Sequence, residues 1–172
     1  MKALVLETER LRLRGHGVED FARLAELWGD PRTVEFIGRK PSNGEEAWAR
    51  LLRYAGLWAL LGYGYWVVEE KTTGEYLGEC GFAEYRREME PSIVGRPEAG
   101  WVFAASAHGK GYATEAMRAV LAWGRERFGD DGAVCLIDPE NGASLRVAEK
   151  LGFREERRVL FRGHETVVLG RG

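Results

Sequence analysis

Two cysteines, three histidines and four serines in 172 residues leave little material for several kinds of chemistry. Cys80 and Cys135 lie in apolar, strand-like runs and share no metal-ligand spacing, so they read as buried reduced thiols rather than a disulfide frame or a zinc module. His16, His108 and His164 form no recognisable triad with Ser42, Ser92, Ser106 or Ser144, because none of these serines sits in a nucleophile elbow. No metal site is expected. A net charge of −2 gives no footprint for nucleic acid or an anionic membrane. No apolar stretch resembles a signal peptide or a spanning helix, which points to a cytoplasmic protein.

Hydrophobic residues make up 45% of the chain and include six Trp, enough to bury one substantial core, and length argues for a single domain over residues 1–172. Leu11 and Leu13 alternate with Arg10, Arg12 and Arg14, as in a half-exposed strand. Val18 to Trp28 carries apolar residues at helical spacing and is closed by Asp30-Pro31. Ser42-Asn43-Gly44-Glu45-Glu46 caps a second helix that Gly62 and Gly64 stop. Tyr65–Glu70 and Tyr76–Tyr85 read as two antiparallel strands around a turn, and Gly95–Gly100 brings another. The run from Ala113 to Phe128 follows the helical period, Ala133–Ile137 returns as a strand, and Arg154–Arg162 with Glu165–Leu169 supplies a terminal pair. The fold class expected is α+β: a mixed, mostly antiparallel sheet flanked by helices, with a central strand-helix-strand unit.

Glycine, by contrast, is plentiful at 23 residues. The most informative segment is His108-Gly109-Lys110-Gly111-Tyr112-Ala113-Thr114, a glycine-spaced loop between an apolar strand and an amphipathic helix. Without Cβ atoms at Gly109 and Gly111 the backbone N–H groups can converge, and the helix adds the partial positive charge of its N-terminus, so the loop is suited to a pyrophosphate. A steric strand-to-helix turn would use similar residues. A dinucleotide fold is disfavoured by the mid-chain position and the missing third glycine, and a Walker loop by Gly111 after Lys110. A second strand-to-helix junction, Asp138-Pro139-Glu140-Asn141-Gly142-Ala143-Ser144, lies downstream.

Together these segments resemble the GNAT acetyltransferases. The loop is similar to that family's pyrophosphate motif, with Gly111 and Ala113 at its small-residue positions and His108 where Gln or Arg is usual. Asn141 to Phe153 looks like the branch that includes the RimJ/RimL ribosomal-protein N-terminal acetyltransferases. The resemblance runs from about Glu7 to near the C-terminus and is strongest over Glu98–Phe153.

The resemblance implies acetyl-CoA as acyl donor and a primary amine as acceptor, such as a protein N-terminus or a small molecule, with a homodimer allowed. It implies that Trp101, Val102 and Phe103 bind pantetheine as an added strand, that Val102 N–H polarises the thioester carbonyl, and that Asn141 bonds the pantetheine. The usual tyrosine acid is replaced by Ala148, which turns attention to Ser144. Acyl transfer also needs a base for the amine, and Glu98 and Glu79 are the candidates, Glu98 being expected closer to the acceptor. Each has an ordinary structural counterpart: a helix cap for Ser144 and Asn141, a solvated strand face for the two glutamates. The acceptor side is expected from Val34 to Tyr65 with the Arg86–Arg96 loop. A non-catalytic acyl-CoA-binding module would keep the same loop and remains the alternative.

Overall fold

The computed structural model describes residues 3–129 and 132–171. Eight strands form one sheet in the order β1-β2-β3-β4-β5-β6-β8-β7. They are β1 (Leu6–Glu7), β2 (Leu11–Arg14), β3 (Tyr65–Glu70), β4 (Tyr76–Ala83), β5 (Glu98–Phe103), β6 (Val134–Ile137), β7 (Arg154–Phe161) and β8 (His164–Gly170). Every neighbouring pair is antiparallel except β5 and β6, which run parallel because a helix crosses between them. The helices are α1 (Phe21–Gly29), α2 (Pro31–Val34), α3 (Gly44–Leu61), α4 (Tyr112–Phe128) and α5 (Gly142–Lys150).

Local chemistry sets the boundaries. Asn43 Oδ1 accepts from Glu46 N–H at 2.9 Å while the Glu46 carboxylate accepts from Asn43 N–H at 2.8 Å, a reciprocal cap that starts α3. Gly62, in the left-handed region, closes it. Asp30 does more than end α1, because its side chain accepts from Arg32 N–H and, with Pro31 in the first turn, opens the extra helix α2. Val18–Asp20 forms a separate 3-10 turn ahead of α1. The strand expected at Gly95–Gly100 lies three residues later, at Glu98–Phe103, and α4 begins at Tyr112 instead of Ala113.

Helices cover both faces. Ala116, Met117, Val120 and Leu121 of α4 and Ala148 and Leu151 of α5 pack with Trp66, Phe82 and Cys80 on one side. Leu24, Leu27 and Trp28 of α1 and Leu51, Tyr54 and Leu57 of α3 pack with Tyr65, Ala83 and Val102 on the other. Trp58, Trp66 and Trp123 meet edge to face between α3, β3 and α4 at centroid distances of 4.7–5.7 Å. Burial pushes the thiol pKa values of Cys80 and Cys135 up, so both are neutral core groups. No helix among the described residues is long and apolar enough to cross a membrane.

Candidate active site

The parallel pair β5–β6 is joined at one position only, Glu98 opposite Val134. Beyond that bridge the strands part and open a cleft of about 780 Å³ in the middle of the sheet. Strand alternation fixes which backbone groups face the gap. Ala104 N–H is bonded to Leu77 O of β4, whereas Pro97 O receives Val134 N–H of β6. Counting in twos, Val102 presents its N–H and C=O to β4, and Trp101 and Phe103 present theirs to the opening. Val102, the expected donor, has its N–H committed to the β4 ladder opposite Glu79, so the N–H groups of β5 that face the opening are those of Trp101 and Phe103.

A few residues after β5, Gly109 (φ +75°) and Gly111 (φ +79°) both adopt the left-handed conformation and turn the chain into α4. Gly111 supplies no side-chain cap, so the first-turn N–H groups of α4 remain available to an anion, and a Cβ at Gly109 would meet open space. His108 is exposed, and its Nε2 lies 2.9 Å from Phe103 O, which ties the loop to the end of β5. Arg10 is a second brace. It donates from Nη1 to Lys110 O at 2.9 Å and from Nε to Glu115 Oε2 at 2.7 Å, and its guanidinium lies 4.5 Å from the Tyr112 ring centroid. Glu115, the one acid in the first turn, is thereby neutralised where it would otherwise repel a phosphate.

On the far side of the gap, Asn141 Oδ1 accepts from Ser144 N–H at 3.1 Å and caps α5. The cap orients the amide with its oxygen toward α5 and leaves its two N–H donors free for a ligand. Asn141 and Ser144 both line the cleft, and Ala148 is buried below them. Glu98 lines it too, at 7% exposure, with both carboxylate oxygens held by Arg87 at 2.7 and 2.8 Å. Glu79 is elsewhere: fully buried beneath the floor, it accepts from Trp28 Nε1 (3.0 Å), Tyr54 Oη (2.9 Å) and Tyr76 Oη (2.6 Å), with His16 Nε2 at 3.5 Å.

Residues 10–154 match the family model described as an acetyltransferase (GNAT) domain. The chain belongs to the GNAT acetyltransferases. It is 39% identical over 153 residues to the uncharacterized Bacillus subtilis (strain 168) protein YkkB, covering 86% of this chain and 83% of that one. A solved GNAT-family acetyltransferase from Bordetella pertussis superposes with a TM-score of 0.85 at 34% identity, covering 99% of this chain and all of the other. The aminoglycoside acetyltransferase AAC(6')-Ib, solved in complex with coenzyme A, shares the fold at 19% identity and a TM-score of 0.75, with 94% of each chain covered. GNAT acetyltransferases use acetyl-CoA as donor.

In this GNAT enzyme the 34–65 stretch, where the acceptor side was expected, lines the cleft with Phe36, Ile37, Arg50, Arg53 and Tyr54, and the loop after β4 adds Arg87. Sequence reasoning overlooked several of its groups. Tyr65 stacks on Tyr54 at 4.8 Å and brings its hydroxyl so close to β5 that a side chain at Gly100 would collide with it. Tyr85 packs beneath Arg87, whose guanidinium lies 4.7 Å from the ring centroid. Burial holds the phenols of Tyr54 and Tyr65 well above their ordinary pKa, so both remain neutral hydrogen-bond donors. The alternation of apolar residues on α3 does mark Tyr54 as inward-facing. Nothing local marks Arg10, whose partner Glu115 is 105 residues away.

Proposed function

We propose that this protein transfers the acetyl group of acetyl-CoA to a primary amine by direct attack within a ternary complex. The observation that carries this reading is the gap between β5 and β6, which opens between the uncapped start of α4 and the acceptor-side arginines and tyrosines. The loop Gly109–Thr114 would receive the pyrophosphate on backbone N–H groups. Trp101 or Phe103 N–H would bond the pantetheine or the thioester carbonyl, with the Asn141 amide donors opposite. The amine nitrogen bonds to the carbonyl carbon, the C–S bond breaks, and the sulfur leaves as thiolate. Glu98, through one water, would take the amine's proton and release it to solvent, and Ser144 would relay a proton to the thiolate while its own hydroxyl is replenished from solvent. Glu79 is too deeply enclosed to reach the acceptor and serves instead as an anchor for the cleft floor.

The acceptors compatible with this cleft include a protein N-terminus, as the RimJ/RimL-like stretch Asn141–Phe153 suggests, and small-molecule amines. A cytoplasmic location agrees with two free, buried thiols. Thiol release from acetyl-CoA that depends on added amine tests the assignment directly; coenzyme binding with no amine-dependent release would leave only the acyl-CoA-binding module.

Two substitutions probe the coenzyme half. Gly111→Val forces a β-branched residue into a left-handed conformation that costs an ordinary L-residue about 1–2 kcal/mol, and it displaces the N–H groups that should hold the phosphates. Acetyl-CoA affinity by calorimetry should fall more than tenfold, about 1.4 kcal/mol, with the fold retained; an unchanged Kd would remove the loop from the site. Ser144→Ala should lower kcat with little change in coenzyme affinity if the hydroxyl acts on the departing thiolate. Parallel losses in both would make it a ground-state contact.

A further inference from the structure

The acceptor half of the cleft carries more positive charge than its own carboxylates can neutralise. Four acids line the cleft, and each already has a partner. Glu98 is held by Arg87, Asp138 by Arg39, Glu165 by Arg158 at 3.1 Å, and Glu84 accepts from the backbone N–H groups of Arg86 and Gly95 at 2.8 Å each. Three lining arginines have no carboxylate within ion-pair distance among the described residues: Arg50, Arg53 and Arg162.

Arg50 is the most telling of the three. It is half-buried, its guanidinium carbon stands 3.4 Å from the Trp28 ring centroid, and its Nε is enclosed without a hydrogen-bond partner. An enclosed guanidinium N–H left unbonded costs free energy unless something completes it. The nearest acid along α3, Glu46, is occupied by the Asn43 cap and by Lys40 at 3.7 Å. Stacking on Trp28 holds the fork flat and fixed, the arrangement in which arginine recognises a carboxylate bidentately. Arg53 lies three residues on, on the same helical face, 5.2 Å from the Tyr85 ring centroid. Both line the cleft.

We infer that the preferred acceptor is an amine that carries its own carboxylate, seated on Arg50 and Arg53 while its amino group reaches the thioester. The inference rests on the acetyltransferase reading of the cleft and narrows it to one substrate class. The same field disfavours polycationic amines, since each additional ammonium would meet unpaired guanidinium groups in a partly dehydrated space. The carboxylate can come from a free amino acid or from an acidic side chain at the start of a peptide, and the two sources share the recognition chemistry.

Matched pairs provide the test: leucine against leucinamide, glutamate against glutamine amide, and an Asp-initiated tripeptide amide against its Asn-initiated counterpart, with spermidine as the polycation. Thiol release from acetyl-CoA should show kcat/KM at least tenfold higher for the carboxylate member of at least one pair, and the pair that shows it identifies the source. In Arg50→Gln, KM for that member should rise at least tenfold and KM for its amide should not, while acetyl-CoA affinity by calorimetry stays the same. Arg53→Gln repeats the test should Arg50→Gln lose the Trp28 stack and fold poorly. Arg50→Lys, which keeps the charge and loses the fork, should fall between wild type and Arg50→Gln. Equal turnover within every pair, or a preference for spermidine, would overturn the carboxylate inference and leave the acetyltransferase reading standing. Coenzyme binding with no release by any amine would overturn both.

Discussion

Replacing Glu79 with alanine should cost about 3 kcal/mol or more of folding stability, because three enclosed donors lose their acceptor at about 1–3 kcal/mol each. Three donors converge on this carboxylate from α1, α3 and β4, and the fully buried side chain has no water to replace them. Burial alone would raise the Glu79 pKa, but the nearby His16 and the bonds from Tyr76 and Trp28 outweigh it and hold the group below its ordinary value. A depressed folded-state value means that this contribution is fully present above the unfolded value of about 4.3 and is lost as pH falls through the folded one. Urea midpoints for wild type and Glu79→Ala, measured between pH 7 and pH 3, should differ at neutrality, and the gap should narrow in acid by the part that depends on the charge. A gap that stays constant across that range would show that packing, not the charge, is what Glu79 supplies.

Glu98→Gln should depress kcat/KM by about 100-fold near neutrality, the scale of a lost general base. Glu98 closes the bridge between β5 and β6 and faces the cleft, so a carboxylate there stands at the mouth of the gap through which an amine must approach. The deficit should shrink as pH rises and free amine becomes abundant. An unchanged pH profile would exclude the role. In that case the Arg87 pair is structural, and Glu98→Gln should instead lower stability, since it leaves a largely buried guanidinium with half its partner.

The parts of this fold that local chemistry dictates could be read directly from the chain. The capping box at Asn43, the glycine-spaced loop and the alternation on β2 each depend on neighbours a few residues apart. The single β5–β6 bridge could not be read, because strand separation is a tertiary outcome that no periodicity encodes. The shift of β5 to Glu98–Phe103 had direct consequences, since strand alternation decides whether Val102 or Trp101 presents its N–H to a ligand. Glu79 and Glu98 are both acidic residues in apolar strands, and what sets their surroundings is tertiary: donors from α1 and α3 enclose Glu79, whereas Arg87 of the loop after β4 holds Glu98 at the cleft. The arginine excess was hidden for a similar reason, because pairing partners such as Arg158 and Glu165 come from the terminal hairpin and reveal only after folding which cations are left over.

Arg10 ties the far edge of the sheet to the glycine loop before α4. The residue belongs to the turn between β1 and β2, yet it clasps Lys110 and Glu115 and stacks on Tyr112, while Thr8 donates to the same glutamate at 2.6 Å. Leu4 O, close by, accepts from Trp66 Nε1. Residues 4–10 are therefore not a neutral stretch to trim or redesign: through one guanidinium, a change there alters how firmly the loop before α4 is braced.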